Sequence, residues 1–157
     1  MENKNIVINF REFQSVGELD EKYRKVAQEA VFAIEGSYAP YSNFNVGAAV
    51  LLADGTIVRG ANQENVAYPS GMCAERSALY YASSAYPNTP IEAIAVVAYV
   101  NGKIADVPAY PCGSCRQAIL QYELKFSKDI RVIVVGNGRV EVFDSIKSLL
   151  PFAFDTI

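Results

Sequence analysis

The sequence predicts an α/β fold: a three-layer α/β/α sandwich with a mixed sheet of about five strands. Three observations carry that expectation. Helical three-and-four spacing alternates along the chain with strand-length apolar runs. Two of those runs, Ile91 to Val100 and Ile130 to Val135, are hydrophobic except at Glu92 and Arg131 near their starts, as strands covered on both faces are. At 157 residues, 51% hydrophobic and 20% charged, the chain is of ordinary single-domain size and long enough to bury a core, and residues 1–157 are read as one domain.

The elements follow in order. Residues 1 to 16 alternate loosely (Ile6, Val7, Ile8, Phe10, Phe13), which suits a short strand or a packing arm. From Asp20, the residues Leu19, Tyr23, Val26, Ala27, Ala30, Val31 and Ile34 mark one face of an amphipathic helix, and Gly36 supplies its stop. The aromatic turn Tyr38-Ala39-Pro40-Tyr41-Ser42-Asn43-Phe44 leads into an apolar strand from Val46 to Leu52. Asp54-Gly55 is a two-residue hairpin signal, so the strand from Thr56 to Ala61 returns antiparallel. A helix is expected from Cys73 to about Ser84, closed by Pro87 and Pro90. After the strand from Ile91 and a turn at Asn101-Gly102, a second site helix runs from Cys112 to about Glu123, behind Pro111. The strand from Ile130 and a short one at Val140 to Phe143 follow, and Ser145 caps a last short helix before Pro151.

Charge and composition remove several classes of function. The net charge is −3, and the basic residues are scattered singly rather than gathered into a stripe that tracks phosphates, so nucleic acid is not an expected partner. The polar start Met1-Glu2-Asn3-Lys4-Asn5 has no apolar stretch suited to secretion or to a membrane span, and a cytoplasmic protein without membrane association is expected. Three cysteines cannot all pair within one chain, and cytosolic thiols stay reduced, which disfavours a disulfide framework.

That leaves the cysteines for metal binding or catalysis. Cys73 sits in Cys73-Ala74-Glu75-Arg76, and Cys112 and Cys115 sit in Pro111-Cys112-Gly113-Ser114-Cys115. Three thiolates fill three corners of a tetrahedral Zn²⁺ and leave the fourth for water, while Glu75 stands two residues from a ligand to move protons. There is no histidine to serve instead. Both segments fall at expected helix starts, where the free N–H groups and the positive dipole end favour thiolate. Three thiolates on one Zn²⁺ leave a charge of about −1, and Arg76 and Arg116 are placed to donate hydrogen bonds to the sulfurs. Plainer readings exist: each cysteine alone suits a buried core position, Cys112-x-x-Cys115 suits a redox pair, and Glu75 suits a first-turn helix glutamate. A purely structural zinc site would want a fourth protein ligand, and no further Cys or His exists.

Taken together, these segments resemble the zinc nucleobase deaminases, which carry a ligand-x-Glu motif followed by Pro-Cys-x-x-Cys. The resemblance is closest to the small homotetrameric cytidine deaminases of free-nucleoside salvage. It rests on Tyr38 to Ala49, Asn62-Gln63-Glu64-Asn65, Cys73 to Arg76, Pro111 to Gln117 and Leu149-Leu150-Pro151, in that order. It implies one Zn²⁺ per chain on Cys73, Cys112 and Cys115, with Glu75 as the catalytic proton shuttle. It also implies that Phe44 packs on the pyrimidine, Asn62 and Glu64 bind ribose hydroxyls, and the Ala74 backbone N–H meets the base O2. Phe154 is the candidate to complete the site of a neighbouring subunit in a homotetramer with shared sites. The implied reaction is hydrolytic deamination of cytidine and deoxycytidine to uridine and deoxyuridine. The alternative within the family's reach is another aminopyrimidine nucleoside such as blasticidin S. Residues 1–19 form an N-terminal extension outside the match, Ala61 stands where the family often has cysteine, and Tyr68-Pro69-Ser70-Gly71-Met72 differs from the usual loop.

Overall fold

The computed structural model describes residues 1–156. Its strands and longer helices are β1 (Arg11–Phe13), α1 (Glu21–Ala33), β2 (Asn45–Leu52), β3 (Ile57–Ala61), α2 (Ala74–Ala85), β4 (Ile91–Val100), β5 (Lys103–Ile104), α3 (Gly113–Phe126), β6 (Arg131–Gly136) and β7 (Arg139–Phe143). They form one sheet in the order β1-β7-β6-β4-β2-β3, with β5 paired to β4. The sheet has seven strands where about five were expected. The additional two are the three-residue β1, which lies within the stretch that suited a short strand or a packing arm, and the two-residue β5, too short to print a period of two on the sequence.

The sheet is mixed because β4 and β6 run parallel while the other pairs are antiparallel. A parallel pair needs a crossover, and α3 provides it. Strand alternation sorts the core into two layers. Ala48, Val50 and Leu52 of β2, Ile94 and Val96 of β4, and Val132 and Val134 of β6 face α2 and α3. Ala49 and Leu51, Ala93, Ala95 and Val97, and Ile133 and Val135 face α1. Hence these strands are apolar at consecutive positions, and the α/β/α layering follows.

Helix α1 buries Tyr23, Val26, Ala27, Ala30 and Ala33 as its spacing required, then tightens into a 3₁₀ turn at Ile34–Gly36. The hairpin between β2 and β3 turns where Asp54-Gly55 predicts, but its loop is three residues rather than two: the Leu52 N–H donates to the Thr56 carbonyl at 2.9 Å, leaving Ala53-Asp54-Gly55 outside the ladder, with Gly55 at φ 87° and the Asp54 carboxylate accepting from the Thr56 N–H at 2.9 Å. Ser145 caps the 3₁₀ turn Ile146–Leu149 through the Lys147 N–H. Behind it, buried Glu123 accepts from the Ile130 N–H at 2.8 Å and from the Ile146 N–H and the Ser145 hydroxyl, both at 3.0 Å. One carboxylate thus joins α3, the entry to β6 and the C-terminal turn.

Two glycines set the spacing between layers. A Cβ on Gly60 of β3 would lie 2.3 Å from the Ala78 N and 2.7 Å from the Ala74 carbonyl oxygen, both backbone atoms of α2. On the other face, a Cβ on Gly47 of β2 would lie 2.1 Å from the Ala30 carbonyl oxygen of α1. Gly60→Ala is therefore expected to push α2 off the sheet and to cost about 1–3 kcal/mol or more. Denaturant unfolding of the variant beside the parent checks it; equal stability would mean the helix yields without strain.

Candidate active site

β3 and β4 run in the same direction because both pair antiparallel with β2. The helices that follow them, α2 and α3, therefore begin at the same end of the sheet, side by side on one face. Cys73 is the N-cap of α2, Cys112 is the N-cap of α3, and Cys115 lies in the first turn of α3. Their sulfurs converge: Cys73 and Cys112 are 4.0 Å apart, Cys112 and Cys115 are 3.6 Å apart, and all three lie within 4.8 Å of one another. Three sulfurs on a tetrahedral zinc at about 2.3 Å should be about 3.8 Å apart, so the triad fits that ion in both donor type and spacing.

The electrostatics suit thiolate formation. The Cys73 pKa is pulled down to about 5, chiefly by the Cys115 thiol as hydrogen-bond donor and then by Arg76, against the cost of burial. Cys115 moves the other way, because its own S–H is engaged with the Cys73 sulfur and because it is buried beside the negative charge of Glu75. Zinc takes cysteine as thiolate, so its affinity for such a site is expected to fall as the pH is lowered.

Glu75 is 5% exposed at the start of α2. Burial pushes its pKa up, opposed by its own backbone N–H, and the negative charge at Cys73 adds to the rise. A carboxyl with a raised pKa is a stronger base than a free one, as a group that takes and returns a proton should be.

The two arginines divide. Arg76 donates to the Cys73 Sγ at 3.7 Å, as its position suggested. Arg116 was expected to do likewise, but its Nε donates to the Pro111 carbonyl and its Nη1 to the Leu149 carbonyl, each at 2.7 Å. That side chain ties the metal-site loop to the C-terminal turn; the fork of a guanidinium was better matched by two free carbonyls than by a sulfur. Arg76→Ala is accordingly expected to weaken zinc retention or lower activity. Metal analysis after dialysis and an activity assay check this, and unchanged values for both would remove the role.

Beside the sulfurs lies a cavity of about 680 Å³ lined by Phe44, Asn62, Glu64, Cys73, Ala74, Glu75, Arg76 and Cys112 among others. Ala74 is the first residue of α2, so its N–H has no acceptor within the helix. Asn62 is largely committed to the protein. Its Oδ1 accepts from the Ser37 hydroxyl at 2.6 Å and the Val46 N–H at 2.8 Å, and its Nδ2 donates to the Phe44 carbonyl at 2.8 Å. It brings one spare donor to a ligand, rather than donor and acceptor together. Glu64 accepts from the Ser42 hydroxyl and from the Tyr41 N–H at 2.9 Å, which holds its pKa down and fixes the turn that presents Phe44. Phe154 lies elsewhere: it is 70% exposed, its carbonyl accepts from Gln117, and it lines a different hollow on α3. Sequence reasoning passed over Tyr110, which lines the main cavity; its position directly before Pro111-Cys112 was the available signal.

Two helix starts on one face of the sheet, three convergent thiols and a buried carboxyl beside an open cavity make a site that fits Zn²⁺ with a proton-transferring group at its side. The comparisons narrow this. Residues 20–128 match the family described as the cytidine and deoxycytidylate deaminase zinc-binding region. The cytidine deaminase of Sporosarcina psychrophila is 46% identical over 131 residues, covering 83% of this chain and 89% of that protein. The cytidine deaminase of Halalkalibacterium halodurans is 41% identical over 128 residues, covering 81% and 89%. Among solved structures, the cytidine deaminase of Burkholderia pseudomallei aligns with a TM-score of 0.71 at 40% identity, covering 83% of this chain and 97% of that one. The cytidine deaminase of Mycobacterium tuberculosis aligns with a TM-score of 0.69 at 32% identity, covering 87% and 100%. The chain belongs to the cytidine and deoxycytidylate deaminase zinc-binding family.

Proposed function

We propose that this chain catalyses the hydrolytic deamination of cytidine and deoxycytidine to uridine and deoxyuridine, with release of ammonia. The observation that carries the reading is the convergent thiol triad, with Cys73 and Cys112 on the wall of one cavity beside buried Glu75 and Cys115 buried behind them. Cys73, Cys112 and Cys115 would hold one zinc per chain. When bound, the metal supplies Lewis-acid polarisation and acidifies a water at its fourth position. Arg76 offsets the sulfur charge. Glu75 takes one proton from the water and delivers it to N3 of the pyrimidine as the water oxygen bonds to C4. It then takes the second proton from the resulting C4 hydroxyl and gives it to the amino group, so that the C4–N bond breaks, ammonia leaves and C4 becomes the uridine carbonyl. Phe44 packs on the base, the Ala74 N–H meets O2, and Asn62 and Glu64 address the ribose hydroxyls.

The whole chain acts as one deaminase domain, and the Phe154 segment, exposed and away from its own cavity, serves a neighbouring subunit of a homotetramer. No helix among the described residues is long and apolar enough to cross a membrane; a cytoplasmic location is our proposal. The experiment is an ultraviolet assay of zinc-loaded and chelator-treated protein with cytidine, deoxycytidine and blasticidin S. Uridine formation lost on chelation is the expected result. Turnover of blasticidin S alone would replace the substrate assignment, and light scattering showing a fully active monomer would overturn the shared site.

A further inference from the structure

The segment before the family match is connected to the cavity. β1 pairs with β7 so that Glu12 lies opposite Glu141, and strand alternation puts Phe10 and Glu12 on the same face as Arg139, Glu141 and Phe143. The Phe10 ring stacks on Phe143 with centroids 5.2 Å apart and planes at 23°. Phe143 in turn meets Tyr110 edge-on, at 6.3 Å and 72°. The Tyr110 hydroxyl donates to the Glu141 Oε2 at 2.6 Å. Glu141 is 1% exposed, and its other oxygen accepts from the Arg139 Nε at 2.6 Å, while Arg139 also pairs with Glu12 at 3.0 Å.

Tyr110 is therefore held twice, by its ring and by its hydroxyl. A buried carboxylate survives only where donors satisfy it, so the Glu141 contacts fix the tyrosine as firmly as the tyrosine satisfies the carboxylate. Because its hydroxyl is committed, what Tyr110 presents to the cavity beside Cys112 and Glu75 is ring, not a hydrogen-bonding group. Such a wall selects by shape and by contact with a flat apolar face.

We propose that Tyr110 is a specificity-determining wall for the planar pyrimidine base, and that Glu141 and Phe10 are positioning residues that act through it. The N-terminal segment is then a support for substrate affinity. This rests on the deamination reading given above.

The test separates the two. Calorimetric titration of the zinc-loaded full chain with uridine measures binding without requiring turnover, and a cytidine assay gives kcat and KM independently. Tyr110→Ala is expected to raise the uridine Kd and the cytidine KM together by about tenfold, with a smaller change in kcat. Phe10→Leu, at a half-exposed position far from the metal ligands, is expected to raise both by about threefold, and Phe10→Tyr to restore them. Should Tyr110→Ala not fold, the Phe10 pair decides alone. Uridine Kd equal to the parent's in Phe10→Leu and in any folded Tyr110→Ala, with only thermal stability reduced, would reduce the network to edge packing and overturn the proposal. A parent that binds uridine but does not turn over cytidine would sink the deamination reading while leaving the wall supported. A parent that binds no uridine would overturn both.

Discussion

Glu75→Gln is expected to lower cytidine turnover by about 10²- to 10⁴-fold while leaving one zinc per chain. The amide has the size and shape of the carboxylate, so α2 and the buried pocket around position 75 keep their packing, and the three thiols that would hold the ion are untouched. What is lost is the capacity to take a proton and return it, a capacity that burial favours by raising the Glu75 pKa. Steady-state rates on protein of measured zinc content check the outcome. Substantial residual turnover would reject Glu75 as the shuttle, and loss of zinc would make it a structural residue instead.

The second large effect is expected from Cys115→Ala. Cys115 is fully buried in the first turn of α3, where no other protein ligand can replace it and only two thiols would remain. Zinc content should fall from about one per chain to near zero, and turnover with it. A ligand present at a thousandfold excess over its Kd stabilises the folded state by about 4 kcal/mol, and the variant forfeits that term. A chelator should therefore lower the melting temperature of the parent and leave that of the variant unmoved. Retention of a full zinc equivalent would show that Cys115 is a core residue rather than a ligand.

Much of this site was legible before any coordinates, because its parts lie where local rules are strong. Cys73 and Cys112 each follow a loop and open a helical pattern, and both are N-caps. Asp54-Gly55 locates the hairpin turn, though not its three-residue length, and the apolar runs of β4 and β6 announce strands buried on both sides. What escaped was decided at long range. Arg116 sits beside a ligand in sequence, yet its partner at Leu149 is 33 residues away. Asn62 and Glu64 look like free polar groups in a loop, but Ser37 and Ser42 had claimed much of their hydrogen-bonding capacity. The burial of Glu123 and Glu141 drew no expectation, because nothing local to a helix or strand shows that its acidic residue will be buried. The strand β1 exists only because β7 offers it an edge.

The close approaches at Gly60 and Gly47 also bear on how such a chain can vary. Backbone touches backbone at both places, so the helix carrying Glu75 and the helix behind the sheet rest on contacts that no side-chain exchange can lengthen or shorten. Drift among the aliphatic residues of the two cores should then appear as altered stability with the sulfur geometry unmoved. Changes of substrate preference should accumulate in the turns, at 41–44 and 68–72 and around Tyr110, where the frame leaves room. A comprehensive substitution scan should show both glycines as near-invariant points within an otherwise permissive interior.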